Sequence, residues 1–147
     1  MGEKNSGQKC LTIDFAVKGM DFTTAGEAAA RIKAVLQQIG MAPEIIRRVV
    51  IVAYEAELNI VIHAYSGFLK ANITADSIEL IAQDEGPGIP DIPLAMQEGY
   101  STAPQHVREM GFGAGMGLPN IKKCADKLDV QSKVGEGTTV RAVIYNK

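Results

Sequence analysis

Glu55, Asn59 and His63 recur every four residues inside an otherwise apolar stretch, so in a helix they lie on one stripe. An asparagine carbonyl oxygen at that spacing suits Mg²⁺, a hard cation that takes oxygen ligands and keeps several waters and substrate phosphates. A carboxylate one turn earlier, Glu55, is placed to accept a proton from an attacking hydroxyl. Taken alone, such a stripe is more often the solvated face of an amphipathic helix. Glu57 points to another side and reads as a surface or interface charge, while His63 reads as packing or capping near the helix end.

Two further segments carry chemistry. Asp84-Glu85-Gly86-Pro87-Gly88 follows a strand pattern; there a carboxylate can accept a hydrogen bond from an exocyclic amine while Gly86 and Gly88 let the backbone approach a flat ligand, which suits adenine. Read singly, the same run is an ordinary turn with an Asx-type aspartate. The run Gly111-Phe112-Gly113-Ala114-Gly115-Met116-Gly117 leads into a helical pattern. Glycines at alternate positions lose too much backbone entropy to hold a regular element without compensation. A phosphate chain at a helix N-terminus supplies it. The run matches neither a dinucleotide fingerprint nor a Walker loop.

The elements that position these residues are legible from periodicity. Strict alternation over residues 10–18 predicts a strand, and a helix over 25–39 follows, capped by Asp21, Thr23 or Thr24 and ended by Gly40. Pro43 opens the longest helix, over 44–64. Strands over 68–74 and 78–83 form an antiparallel hairpin, followed by a loop over 84–91. Residues 92–110 are weakly patterned, with one short helical piece over 93–98, and form a candidate lid. A helix over 118–128 and strands over 129–134 and 138–145 complete the chain. The expected architecture is α+β: one domain over 1–147, a two-layer sandwich whose mostly antiparallel, mixed sheet is covered on one face by three helices.

Composition bounds the function. With 46% hydrophobic and 22% charged residues and a net charge of −2, the chain has no basic footprint, which argues against nucleic acid as the main partner. Glu55, Glu57, Asn59 and His63 interrupt the longest apolar segment, which excludes a membrane span there. The polar first ten residues lack an apolar signal segment, so a cytoplasmic protein with Cys10 and Cys124 reduced is expected.

The ordered set Glu55-x-x-x-Asn59, Asp84-x-Gly-x-Gly, Gly113-x-Gly-x-Gly117 and Gly137-Thr138 resembles the Bergerat-type, histidine-kinase-like ATPase superfamily. Within it the chain is most similar to anti-sigma factor serine kinases and stressosome switch kinases. That resemblance implies ATP and Mg²⁺ as cofactors, Asn59 as metal ligand and Glu55 as general base. It also implies Asp84 as reader of the adenine amine, with Gly86 and Gly88 shaping the pocket. By the same resemblance Gly113, Gly115 and Gly117, with Met116 and Leu118 between and after them, are expected to wrap the phosphates, and Thr138 to support the adenine contact through water. Arg108, just before the glycine run, is either a γ-phosphate contact or a solvated lid residue. The implied activity is ATP-dependent phosphorylation of a serine on a STAS-domain antagonist or stressosome scaffold. The alternative is an anti-sigma factor whose main output is sequestering a sigma factor. Anti-sigma members of the family form homodimers, although no interface is readable in these residues.

Overall fold

Alternation of apolar and polar side chains places five segments in a single sheet, and a computed structural model of the protein shows how. It describes residues 10–97 and 117–147. The elements are β1 (Leu11–Lys18), α1 (Glu27–Gln38), α2 (Pro43–His63), β2 (Ser66–Ile73), β3 (Ser77–Glu85), α3 (Ile92–Ala95), α4 (Gly117–Cys124), β4 (Lys127–Lys133) and β5 (Gly137–Tyr145). Strand order is β1-β2-β3-β5-β4, and every pairing among the described residues is antiparallel. The fold is the expected α+β sandwich.

Cross-strand register stacks the inward side chains in rows. Ala71, Leu80 and Ala142 form one, and Leu69, Ala82 and Val140 the next; all six are buried. Helix α2 crosses this face. Its sequence is rich in isoleucine and valine, which are mediocre helix formers because their branched side chains lose rotamer freedom against the preceding turn. Tertiary burial therefore holds it helical. Val49, Val52, Ala53, Ala56, Ile60 and Val61 are all inside, and each buried aliphatic of valine size or larger contributes about 1.5–3 kcal/mol. Pro43 stands in its first turn as expected. The helix ends where Ala64 becomes extended and the Tyr65 N–H turns to the Glu85 carbonyl 2.8 Å away, starting the sheet.

Helix α1 packs on α2 through Ala28, Ala29, Ile32 and Leu36. Its start corrects two expectations. Asp21 does not cap it; that carboxylate accepts from the Thr23 and Thr24 hydroxyls at 2.7 and 2.8 Å. Gly26 occupies the cap position in the left-handed region, φ 98°, and a glycine has no side chain to offer. The cap comes instead from Glu57, which is 3% exposed and not a surface charge. Its carboxylate accepts from the backbone N–H groups of Gly26, Ala28 and Ala29 at 3.0, 3.3 and 3.1 Å. A buried anion there meets both the orphan donors and the positive end of the helix dipole.

Helix α4 is tied at its C-terminal end. Arg48 of α2 donates from Nε to the Cys124 carbonyl at 2.9 Å and pairs with Asp126 at 3.1 Å. The Tyr145 N–H, and then Arg48, hold the Asp126 carboxyl below its usual range. Boundaries differ from expectation in two instructive places. β3 runs to Glu85 because Gly67 and Ser66 of β2 supply partners for Asp84 and Glu85, although acidic residues are poor strand formers. The last helix stops at Cys124 because 127–133 is recruited to the sheet edge beside β5.

Removing the Glu57 carboxylate strands three N–H groups. Glu57→Ala is expected to lower unfolding free energy by about 2–4 kcal/mol in urea titrations, with Glu57→Gln intermediate. A loss below about 0.5 kcal/mol in the alanine variant contradicts this account.

Candidate functional site

Two polar clusters stand out, one on α2, which faces the element that follows the glycine run, and one at the end of the sheet. On α2, Glu55 and Asn59 point at the first residue of α4: a Cβ built on Gly117 lies 3.6 Å from Glu55 Oε1 and 3.7 Å from Asn59 Oδ1. The stripe read as chemically competent is therefore directed at a helix start and not at open solvent. Leu118, next in α4, is buried against the core. Asn120 was not anticipated, and its Nδ2 donates to Glu55 Oε2 at 2.9 Å. It follows Gly117 by three residues, so it shares that face of α4. Nothing short of the α2–α4 packing pairs it with a residue sixty-five positions away.

The second cluster is a polar row at the end of the sheet. Continuing the register of β3, β5 and β4 beyond the aliphatic rows brings Asp84, Thr138 and Ser132 side by side on the helix-facing side. Asp84 Oδ1 accepts from the Thr138 N–H at 3.1 Å. Burial pushes the Asp84 carboxyl above its usual range, and the Thr138 N–H opposes that shift. Ser132 was also unanticipated. Its signal was present, since a polar residue sits where the alternation of Leu128 and Val130 predicts an apolar one.

The loop between the clusters is fitted against protein on both glycines. A Cβ on Gly86 would lie 3.0 Å from the Cα of Ala64 at the end of α2. Gly88 has φ 78°, and a Cβ there would lie 2.5 Å from the Lys133 carbonyl. Close packing against Ala64 and Lys133 is thus one requirement for glycine at both positions. Hydrogen bonds from Gly86 N–H to the Glu136 carbonyl and from Gly135 N–H to the Pro87 carbonyl hold the loop on the β4–β5 turn. His63 lies at the end of α2, and burial lowers its imidazole below the usual range. Arg108, Gly113, Gly115 and Met116 lie outside the described residues.

The donor set fits Mg²⁺. Among the described residues no three His, Cys, Asp or Glu side chains converge as a metal cage, and Mg²⁺ needs none. One or two hard oxygens beside bound phosphates suffice, and Asn59 Oδ1 stands at the start of α4.

Asp84 also gives a pH prediction. Its folded value lies above the ordinary 3.8, so the folded state is penalised by its ionisation above that raised value. The penalty disappears as pH falls from the raised value toward 3.8. Asp84→Asn, which keeps an oxygen for the Thr138 N–H, is therefore expected to be as stable as wild type or more so at pH 7. Its relative advantage shrinks on acidification through that window. Chemical denaturation from pH 7 to pH 4 measures it, and an advantage that grows toward acid contradicts the reading.

Comparison with known proteins agrees with this geometry. A family model described as a histidine kinase-like ATPase domain matches residues 21–144. The chain is 37% identical over 93 residues to the serine/threonine-protein kinase RsbT of Bacillus subtilis (strain 168), covering 60% of this chain and 64% of that protein. It is 38% identical over 96 residues to an anti-sigma F factor of Thermoanaerobacter sp. (strain X514), covering 62% and 64%. To the anti-sigma F factor of Geobacillus stearothermophilus it is 30% identical over 119 residues, covering 77% and 78%. The alignments with the first two thus span 64% of those relatives' length. With the matched segment holding α2, the polar row and the start of α4 together, the chain belongs to the histidine kinase-like ATPase domain family.

Proposed function

We propose that this protein is a Mg²⁺-ATP-dependent protein serine/threonine kinase of a bacterial partner-switching pathway. Its substrate is a serine hydroxyl on a STAS-domain antagonist or scaffold protein, and it works in the cytoplasm. The observation that carries the reading is the convergence of Glu55 and Asn59 oxygens on Gly117, the first residue of the helix after the glycine run. The name of the Bacillus subtilis relative supports the kinase class. No helix among the described residues is long and apolar enough to cross a membrane.

In this reading each group has one task. Asp84 accepts from the adenine amine at the sheet end, and Gly113, Gly115 and Gly117 turn backbone N–H groups toward the phosphates. Asn59 would hold Mg²⁺ through Oδ1, and the ion supplies neutralisation of phosphate charge. The partner's serine oxygen forms a bond to the γ-phosphorus of ATP while the bond to the β,γ-bridging oxygen breaks, leaving ADP with that electron pair. The serine proton passes to the Glu55 carboxylate. Asn120 holds the other carboxylate oxygen, which keeps Oε1 directed at the start of α4. Positioning and charge neutralisation dominate such reactions.

A second reading is favoured by the relatives named anti-sigma F factor. In it the chain acts chiefly by holding a sigma factor, with ATP setting partner choice and a homodimer as the binding form. Recovery of an RNA polymerase sigma subunit with the purified protein would favour that reading over the switch kinase.

The kinase reading is tested by incubating the protein with γ-labelled ATP and a STAS-domain protein. Phosphoserine is expected on the STAS protein, falling about a hundredfold in Glu55→Gln with ATP affinity changed less than about threefold. Full activity in Glu55→Gln contradicts the assignment of the base, and no phosphoserine with any STAS protein contradicts the kinase.

A further inference from the structure

The hydroxyl of Ser132 meets three polar groups, and only one arrangement of protons satisfies all three. The Ile89 N–H lies 2.6 Å from Ser132 Oγ and can only donate. The Gly137 carbonyl lies 3.0 Å away and can only accept, so it takes the single proton of Ser132. Thr138 Oγ1 lies 2.8 Å away, and with the serine proton already used, Thr138 must be the donor of that pair. Ser132 is then saturated, with one proton given and two lone pairs filled.

The consequence falls on Thr138. Its own proton is committed to Ser132, so Oγ1 has only lone pairs left to offer. Beside it, Asp84 spends Oδ1 on the Thr138 N–H, and Oδ2 has no partner among the described residues. At this point of the sheet end, Thr138 Oγ1 and Asp84 Oδ2 therefore form a wall of acceptors. An amine donates to such a wall directly. Through a water that gives one proton to Asp84 and the other to Thr138, the water must in turn accept, and again only a donor fits.

We propose that Ser132 is a positioning residue for base selectivity: by fixing the proton of Thr138 it makes this wall read hydrogen-bond donors, so that the site takes a 6-aminopurine and rejects a 6-oxopurine. The proposal rests on reading this site as an ATP pocket. Without Ser132 the Thr138 hydroxyl is free to rotate and donate to a 6-oxo group, and discrimination at that position weakens. A site built on hydrogen-bond direction discriminates strongly because the wrong ligand leaves buried groups unpaired.

The test is calorimetric titration of the full chain with ATP and with ITP, which has a 6-oxo group and a proton on N1 where ATP has a 6-amino group and a bare N1, each with Mg²⁺. Wild type is expected to prefer ATP. Ser132→Ala should lose about tenfold of that preference, and Ser132→Cys, which keeps the volume but bonds weakly, should lose a comparable amount. Ser132→Thr should retain it, and adding Ser132→Ala to Thr138→Val should produce no further loss of preference. Equal weakening of both nucleotides in the Ala and Cys variants overturns the proposal, because Ser132 would then only support the Ile89 turn. A wild type that binds ATP and ITP alike overturns it while leaving the ATP site intact. A wild type that binds neither overturns the ATP site as well.

Discussion

Everything in this molecule depends on seating α2 across the inner face of the sheet. A helix so rich in isoleucine and valine has little tendency to stand alone, and burial of its apolar stripe fixes both its existence and its rotation. Once that rotation is set, the three polar residues Glu55, Glu57 and Asn59 have no freedom of direction. Glu57 goes to the start of α1, while Glu55 and Asn59 go to the start of α4. Glu55 and Glu57, two residues apart, point to nearly opposite sides of the helix, so a rotation of about half a turn would exchange the two carboxylates and bury the wrong charge. Arg48, two turns earlier on the same stripe as Glu55, anchors the far end of α4.

The sheet contributes a complementary constraint. Its inner rows are aliphatic until the last, where Asp84, Thr138 and Ser132 replace them. That change from apolar to polar at one end of a strand set costs stability unless the buried groups find partners. The row is then closed by hydrogen bonds within itself and to the loop bearing Gly86 and Gly88. The fold thus holds one polar surface on α2 and another on the sheet, with α4 beginning beside the first.

Much of this was legible in the residues. The four-residue spacing of Glu55 and Asn59 and the place of Asp84 at a strand end are local patterns, and local geometry turns them into directions without further information. Thr138 came only with the family resemblance, through the glycine-threonine pair that opens the last strand. Glu57 was misread because its role depends on α1 folding back to offer three N–H groups, which no spacing along the chain encodes. Asn120 escaped for the same reason, its partner being sixty-five residues away. Ser132 is the intermediate case: the break in strand alternation marked it, but its three partners come from a loop and a neighbouring strand. The expected cap at Asp21 failed because Gly26 places the helix start five residues later.

In the proposed function, the α2 stripe and the polar row are two walls of a single Mg²⁺-ATP site. A crystal structure of the protein with Mg²⁺ and a non-hydrolysable ATP analogue tests it most directly. The account predicts the adenine amine at Asp84, the metal ion on Asn59 Oδ1 and the γ-phosphate beside Glu55. A nucleotide seated elsewhere, or an adenine remote from Asp84 with phosphates away from the start of α4, would contradict it.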